Sequence, residues 1–130
     1  MTIERFGAAP TGPGGRSLPF TKAVRAGDFI FVSGQVPMGA DGEIVDGNIA
    51  TQTRQTIDNV KAILQSLGLG LEHVVKATVW LADERDFRPF NKIYLEYFEQ
   101  PYPARSAFGT SGLALNARVE LEVIAMWTDK

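Results

Sequence analysis

The chain has 130 residues, 45% of them hydrophobic and 22% charged, with a net charge of −2. This is the make-up of one globular domain that buries roughly two-thirds of its unfolded surface, and without a long basic run it does not suggest a nucleic-acid partner. No cysteine and one histidine, His73, exclude disulfides, thiolate nucleophiles and multi-histidine or cysteine metal centres, and any catalytic triad would depend on a single ring.

Read in chain order, residues 1–17 form an N-terminal strand and loop of a single domain spanning 1–130. MTIERFGAAP lacks the apolar core of a secretory signal. Nowhere do about 18 apolar residues run together, so no membrane association and a cytoplasmic location are expected. AAPTGPGGRS (8–17) is rich in glycine and proline. It has neither a P-loop lysine nor a strand-to-helix junction, which argues against a phosphate cradle. FTKAVRAGDFIFVSGQV (20–36) reads as two strands joined at the AGD turn, with Phe29, Ile30, Phe31 and Val32 apolar on both faces. Asp41-Gly42 centres a second turn.

From Asn48 to Leu67 the period becomes helical. Ile57, Val60, Leu64 and Leu67, with Ile63 beside them, make the apolar face, while Gln52, Arg54, Gln55 and Asp58 are polar. Asn48 is the expected N-cap and Gly68 the expected C′ residue. HVVKATVWL (73–81) returns to period two, with Val75, Ala77, Val79 and Leu81 on one face and Lys76, Thr78 and Trp80 on the other. Asp83 is placed to cap a second helix, with Pro89 in its first turn and Phe87, Phe90, Ile93, Tyr94, Tyr97 and Phe98 as its apolar stripe.

In PYPARSAF (101–108) an arginine stands at the root of a strand that leaves a double-proline turn. Arg105 is a surface charge, half of an ion pair, or a grip for an anion. The final strand, RVELEVIAMW (118–127), alternates Val119, Leu121, Val123 and Ala125 with Arg118, Glu120, Glu122 and Ile124. A hairpin across SGLALN would set Arg105 opposite Glu120 or Glu122, in either case on one sheet face. That pairing is open to a purely structural explanation as a cross-strand ion pair.

Two helices and about six strands predict an α+β fold: a sheet with both helices on one side. Its other face then carries Trp80 and one member of each apolar pair in FIFV, a large exposed apolar patch for a lone chain. Self-association into a homo-oligomer is expected.

The motifs FVSGQVP (31–37), TRQTIDNVKAIL (53–64), VVKATVWLAD (74–83), FNKIYLEYF (90–98), PYPARSAF and VELEVIAM (119–126) occur in that order. Together they resemble the RidA/YjgF family of reactive intermediate deaminases, over nearly the whole chain from Phe20. The resemblance implies a chorismate-mutase-like fold with a mixed sheet, assembled as a homotrimer with clefts between subunits. It also implies hydrolysis of enamine and imine intermediates, such as 2-iminopropanoate and 2-iminobutanoate, to 2-keto acids and ammonia.

The implied chemistry suits the residues. A 2-imino acid carries a carboxylate, which the planar fork of Arg105 can hold bidentately. Imines hydrolyse in water, so no metal, cofactor or covalent nucleophile is required. An oriented water and a carboxylate proton shuttle suffice, contributing ~10²–10⁴-fold. Glu120 matches the family position that orients the water, with Glu122 its rival on the same face. Ser33, Gly34 and Asn91 match cleft-lining positions, though a strand-end turn and a helix-surface amide would look the same. Phe20 stands where many members have tyrosine, and Ala107 where many have cysteine, so the preferred imine is open to larger or more apolar substrates. A second function, a non-catalytic trimer that uses Arg105 to bind small carboxylates as a regulator, is excluded by nothing in the sequence, whereas an endoribonuclease or translation inhibitor fits poorly with a net charge of −2, one histidine and no basic-aromatic stripe.

Overall fold

The computed structural model describes residues 2–129. It contains strands β1 (Ile3–Phe6), β2 (Ala23–Ala26), β3 (Phe29–Gln35), β4 (Val74–Leu81), β5 (Ala104–Gly109) and β6 (Val119–Met126), and helices α1 (Ile49–Ser66) and α2 (Phe87–Tyr97). The strands form one sheet in the order β1-β2-β3-β6-β4-β5. Every pairing is antiparallel except β4 with β5. This is the α+β arrangement expected, a six-stranded mixed sheet with both helices on one face.

Period-two alternation decides which strand lies at the centre. Val119, Leu121, Val123 and Ala125 of β6 and Ala77, Val79 and Leu81 of β4 are all buried on the helix side. β6 therefore takes a middle position, between β3 and β4. The α1 residues Ile57, Val60 and Leu64 and the α2 residues Phe90, Ile93 and Tyr94 close over them. Each such side chain contributes about 1.5–3 kcal/mol of transfer free energy. Asn48 caps α1 by accepting from the Thr51 N–H at 2.9 Å, and Gly68 takes the left-handed conformation just beyond its end, at φ 76°.

Four local expectations are corrected. The β5–β6 hairpin does not form, because β4 lies between the two strands. β5 follows β4 through α2, and a strand–helix–strand crossover delivers its second strand parallel to the first. Residues 110–118 then pass over the end of β4, where Thr110 donates to the Leu81 carbonyl and Ala82 to the Arg118 carbonyl. Second, Val75 is exposed and Val74 buried, because an irregularity in the β4–β6 ladder between Val74 and Lys76 resets the alternation. Third, Gln52 is buried despite its polarity. Its amide donates to the Val45 carbonyl and accepts from the Arg118 N–H, tying the segment before α1 to the start of β6. Fourth, Asp83 caps a single 3-10 turn, Glu84–Asp86, that precedes α2 rather than α2 itself.

The face away from the helices is apolar where the sequence implies it. Phe29, Phe31, Phe108 and Met126 are 40–49% exposed. Ladder partners place Phe29 beside Met126, Phe31 beside Ile124, and Trp80 beside both Phe108 and Glu120. A band of large side chains thus crosses the open face.

Candidate functional site

Arg105 lies on β5, an edge strand, level with Ala77 of β4. Ala77 faces the helices, so Arg105 does too, and its guanidinium carbon sits 4.9 Å from the Tyr94 ring centroid and 5.8 Å from that of Phe90. These rings attract the cation through their π faces while leaving its N–H edge unused. Among the described residues no carboxylate lies within ion-pair distance of it. Beside it opens a cavity of about 330 Å³ lined by Asn91, Tyr94, Leu95, Tyr102, Pro103 and Arg105. Asn91 Oδ1 and Tyr94 Oη are buried there without a hydrogen-bond partner. Ala107, two residues along β5 from Arg105, is half-buried and packs against the core. It offers neither charge nor nucleophile.

Glu120 belongs to a second cluster. It pairs with Trp80 across the β4–β6 ladder and so projects from the open face. Burial, with the neighbouring charge of Glu122 added, pushes its carboxyl above the ordinary carboxylate range. Its carboxylate lies against Gly34: a Cβ at position 34 would come within 3.2 Å of Glu120 Cδ. Gly34 sits where the β3–β6 register shifts, between Val32 and Gln35. The preceding Ser33 donates from its hydroxyl to the Thr21 carbonyl at 2.5 Å, which fixes this turn against the backbone next to Phe20. Phe20 itself is 44% exposed.

The expected residues therefore fall into two groups. Asn91, Arg105 and Ala107 are on the helix side of the β5 edge, Ser33, Gly34 and Glu120 gather at the β3–β6 ladder, and the exposed Phe20 is joined to them only through the chain at Thr21. Within one chain Arg105 and Glu120 are on opposite faces of the sheet, and the ion pair that a hairpin would have made does not exist. The lone histidine is accounted for structurally, since its Nδ1 accepts from the Gly70 N–H at 2.9 Å in a tight turn. Among the described residues no three His, Cys, Asp or Glu side chains gather to hold a metal, and no helix is long and apolar enough to cross a membrane.

Four residues at the Arg105 cavity are not expected from the sequence: Tyr94, which reads as part of the core stripe, and Leu95, Tyr102 and Pro103, to which the sequence gives no site role. The signal for Tyr94 is its spacing: Asn91, Tyr94 and Leu95, at i, i+3 and i+4, share a helix face that the core does not entirely use.

The family model described as Endoribonuclease L-PSP matches residues 15–127. A RutC family protein of Pyrococcus horikoshii is 45% identical over 108 residues, which cover 82% of this chain and 86% of that protein. The 2-iminobutanoate/2-iminopropanoate deaminase of Bos taurus is 40% identical over 109 residues, covering 83% of this chain and 80% of the bovine protein. The crystal structure of yeast Mmf1 superposes with a TM-score of 0.87 at 36% identity, covering 98% of this chain and 100% of the yeast chain.

Proposed function

The chain belongs to the YjgF/RidA family, and we propose that it hydrolyses 2-imino acids to 2-keto acids and ammonia, in clefts built between subunits of a homotrimer. The observation that carries this is Arg105: a guanidinium laid on aromatic rings, without an acidic partner among the described residues, at the wall of a cavity with unsatisfied polar atoms. Such a group is a receptor for a small carboxylate.

The separation of the two clusters favours a shared site. Arg105 stands on an edge strand, and Glu120 sits within the apolar open face that a second chain would cover. Docking one chain's β5 edge against its neighbour's open face brings the fork of one subunit to the carboxylate of the other. Nothing else in the fold gives Glu120 access to a ligand held by Arg105.

In such a cleft Arg105 holds the substrate carboxylate in two parallel hydrogen bonds, and Asn91 Oδ1 accepts from the imine N–H. Glu120 takes a proton from water as the oxygen adds to the C=N carbon and passes it to nitrogen, giving a carbinolamine. It then takes the hydroxyl proton and delivers it to nitrogen as the C–N bond breaks, so that ammonia leaves and the C=O of the 2-keto acid forms. A carboxyl held above its usual range is better matched to this exchange near neutral pH than an ordinary glutamate. Phe20 in place of a hydroxyl-bearing ring lines the cleft with apolar surface, which suits an alkyl side chain.

The test is a coupled assay in which an amino-acid dehydratase or oxidase generates 2-iminobutanoate and keto-acid release is followed. Acceleration that rises with protein concentration is expected. No acceleration, alongside saturable binding of 2-oxobutanoate, would instead indicate a carboxylate-binding regulator. A ribonuclease function, which the family model's description would suggest, finds little support in a chain of net charge −2 whose one histidine is committed to a turn.

A further inference from the structure

Tyr94 has a hydroxyl that the fold does not use. The residue is 4% exposed, its ring stacks on Phe98 at 4.3 Å and tilts against Phe90 at 5.7 Å, and its Oη has no hydrogen-bond partner among the described residues. Packing alone would be served as well by phenylalanine, which fills the same space without stranding a donor. Tyr94 nevertheless lines the cavity beside Arg105.

We propose that Tyr94 is a substrate-binding residue whose hydroxyl donates a hydrogen bond to the carboxylate held by Arg105, an assignment that rests on Arg105 being an anion receptor. A carboxylate has about four lone-pair sites, and the guanidinium fork fills two of them. The remaining sites need donors. Asn91 Oδ1 is an acceptor and is suited to the imine N–H instead. The Asn91 amide N–H2 and the Tyr102 hydroxyl are also donors at this cavity, but of the three it is Tyr94 Oη that is buried without a partner among the described residues, and its ring lies beneath the same guanidinium. Burial pushes its phenol up, with Arg105 opposing more weakly, so the hydroxyl keeps its proton at neutral pH and donates. The ring serves as the platform for the cation and the hydroxyl as a further contact to the anion. This makes the receptor selective for a planar carboxylate over a halide or a neutral amide.

The experiment compares wild type, Tyr94→Phe and Thr56→Val. Thr56 also carries a buried hydroxyl without a partner, but under α1, away from the cavity. Binding of 2-oxobutanoate is measured by calorimetry, turnover of 2-iminobutanoate by keto-acid release, and particle mass by light scattering. Tyr94→Phe should weaken 2-oxobutanoate binding and raise KM by about tenfold or more, the effect of one hydrogen bond to a charged group. Its kcat should change much less, its melting temperature should not fall, and Thr56→Val should bind normally. Unchanged affinity in Tyr94→Phe overturns the proposal, as does weakened binding that appears only with altered particle mass, which would assign the hydroxyl to a contact between chains. Wild type that binds no 2-oxobutanoate overturns it together with the anion receptor. Wild type that binds in a Tyr94-dependent manner yet turns over no imine upholds Tyr94 and removes only the hydrolase function.

Discussion

Gly34 and Glu120 are in contact across the β3–β6 ladder, and the contact exists because position 34 has no side chain. A Cβ there would lie within 3.2 Å of Glu120 Cδ and 3.4 Å of its Cγ. The requirement is one of space, since Gly34 is not among the glycines with positive φ. Gly34→Ala is therefore expected to turn the Glu120 side chain aside. Turnover should drop by about tenfold or more, while the core on the opposite face, and with it the melting temperature, changes little. Combining Gly34→Ala with Glu120→Gln should add almost nothing to the worse single variant, because both act on one carboxylate. Additive losses would detach Gly34 from Glu120.

Arg105 supplies the second prediction. Its guanidinium faces the Tyr94 ring and has no acidic partner among the described residues. Arg105→Ala should abolish imine hydrolysis without dissociating the oligomer. Arg105→Lys keeps the charge but loses the fork and should also be largely inactive, by about tenfold or more in kcat/KM. Full activity in the lysine variant would show that charge suffices and that bidentate geometry is not used.

The strand that dominates the sheet was the most legible part of the sequence. The alternation in VELEVIAM and ATVWL required one face of each strand to be buried, and those faces meet the helices. The neighbour of β5 was not legible in the same way. Both hairpin and crossover give Arg105 a partner strand, and the choice depends on α2 packing back over the sheet, a long-range matter. That single misplacement carried Arg105 onto the wrong face. The order strand, helix, strand in 74–109 was the available warning, since a helical connection favours parallel pairing. Val75 departs from the face its alternation predicts for a different reason: a ladder irregularity shifts parity without leaving a composition signal. Tyr94 sat in plain view within an aromatic stripe, where ring burial and a stranded hydroxyl look the same until the neighbours are known.

The open face predicts assembly. Phe29, Phe31, Phe108 and Met126 are each at least 40% exposed in a single chain and lie on one side of the sheet. Light scattering at micromolar concentration should give a mass near three times 14.2 kDa. Phe31→Glu places a charge in that band without touching the helix-side core. It should yield a folded monomer by circular dichroism, with turnover lost because Arg105 and Glu120 no longer meet. A Phe31→Glu monomer of normal activity would rule out a site shared between chains.

Glu120 and Glu122 project from the same face two residues apart, and the charge of Glu122 helps to hold the Glu120 carboxyl above its ordinary range. The consequence for stability has a definite sign. Between the ordinary carboxylate pKa and the raised value, the folded chain binds a proton that the unfolded chain does not. Stability therefore falls as pH rises through that window, and ionised Glu120 destabilises the fold at neutral pH. Glu120→Gln should melt no lower than wild type at pH 7, with any gain shrinking towards pH 4. A residue that merely completed the scaffold would behave in the opposite way. In turnover, Glu120→Gln keeps the shape but loses the proton acceptor, and kcat should fall by at least ~10². Glu122→Gln removes the like charge, so the Glu120 pKa drops. The acid limb of the kcat/KM profile should then move to lower pH, with activity near pH 7 only mildly affected. Keto-acid release from 2-iminobutanoate across pH, beside thermal melts of both variants, separates the two roles. A fully active Glu120→Gln enzyme would leave Arg105, Tyr94, Asn91 and backbone groups as the whole apparatus; a Glu122→Gln profile with an unmoved acid limb would break the link between that limb and Glu120.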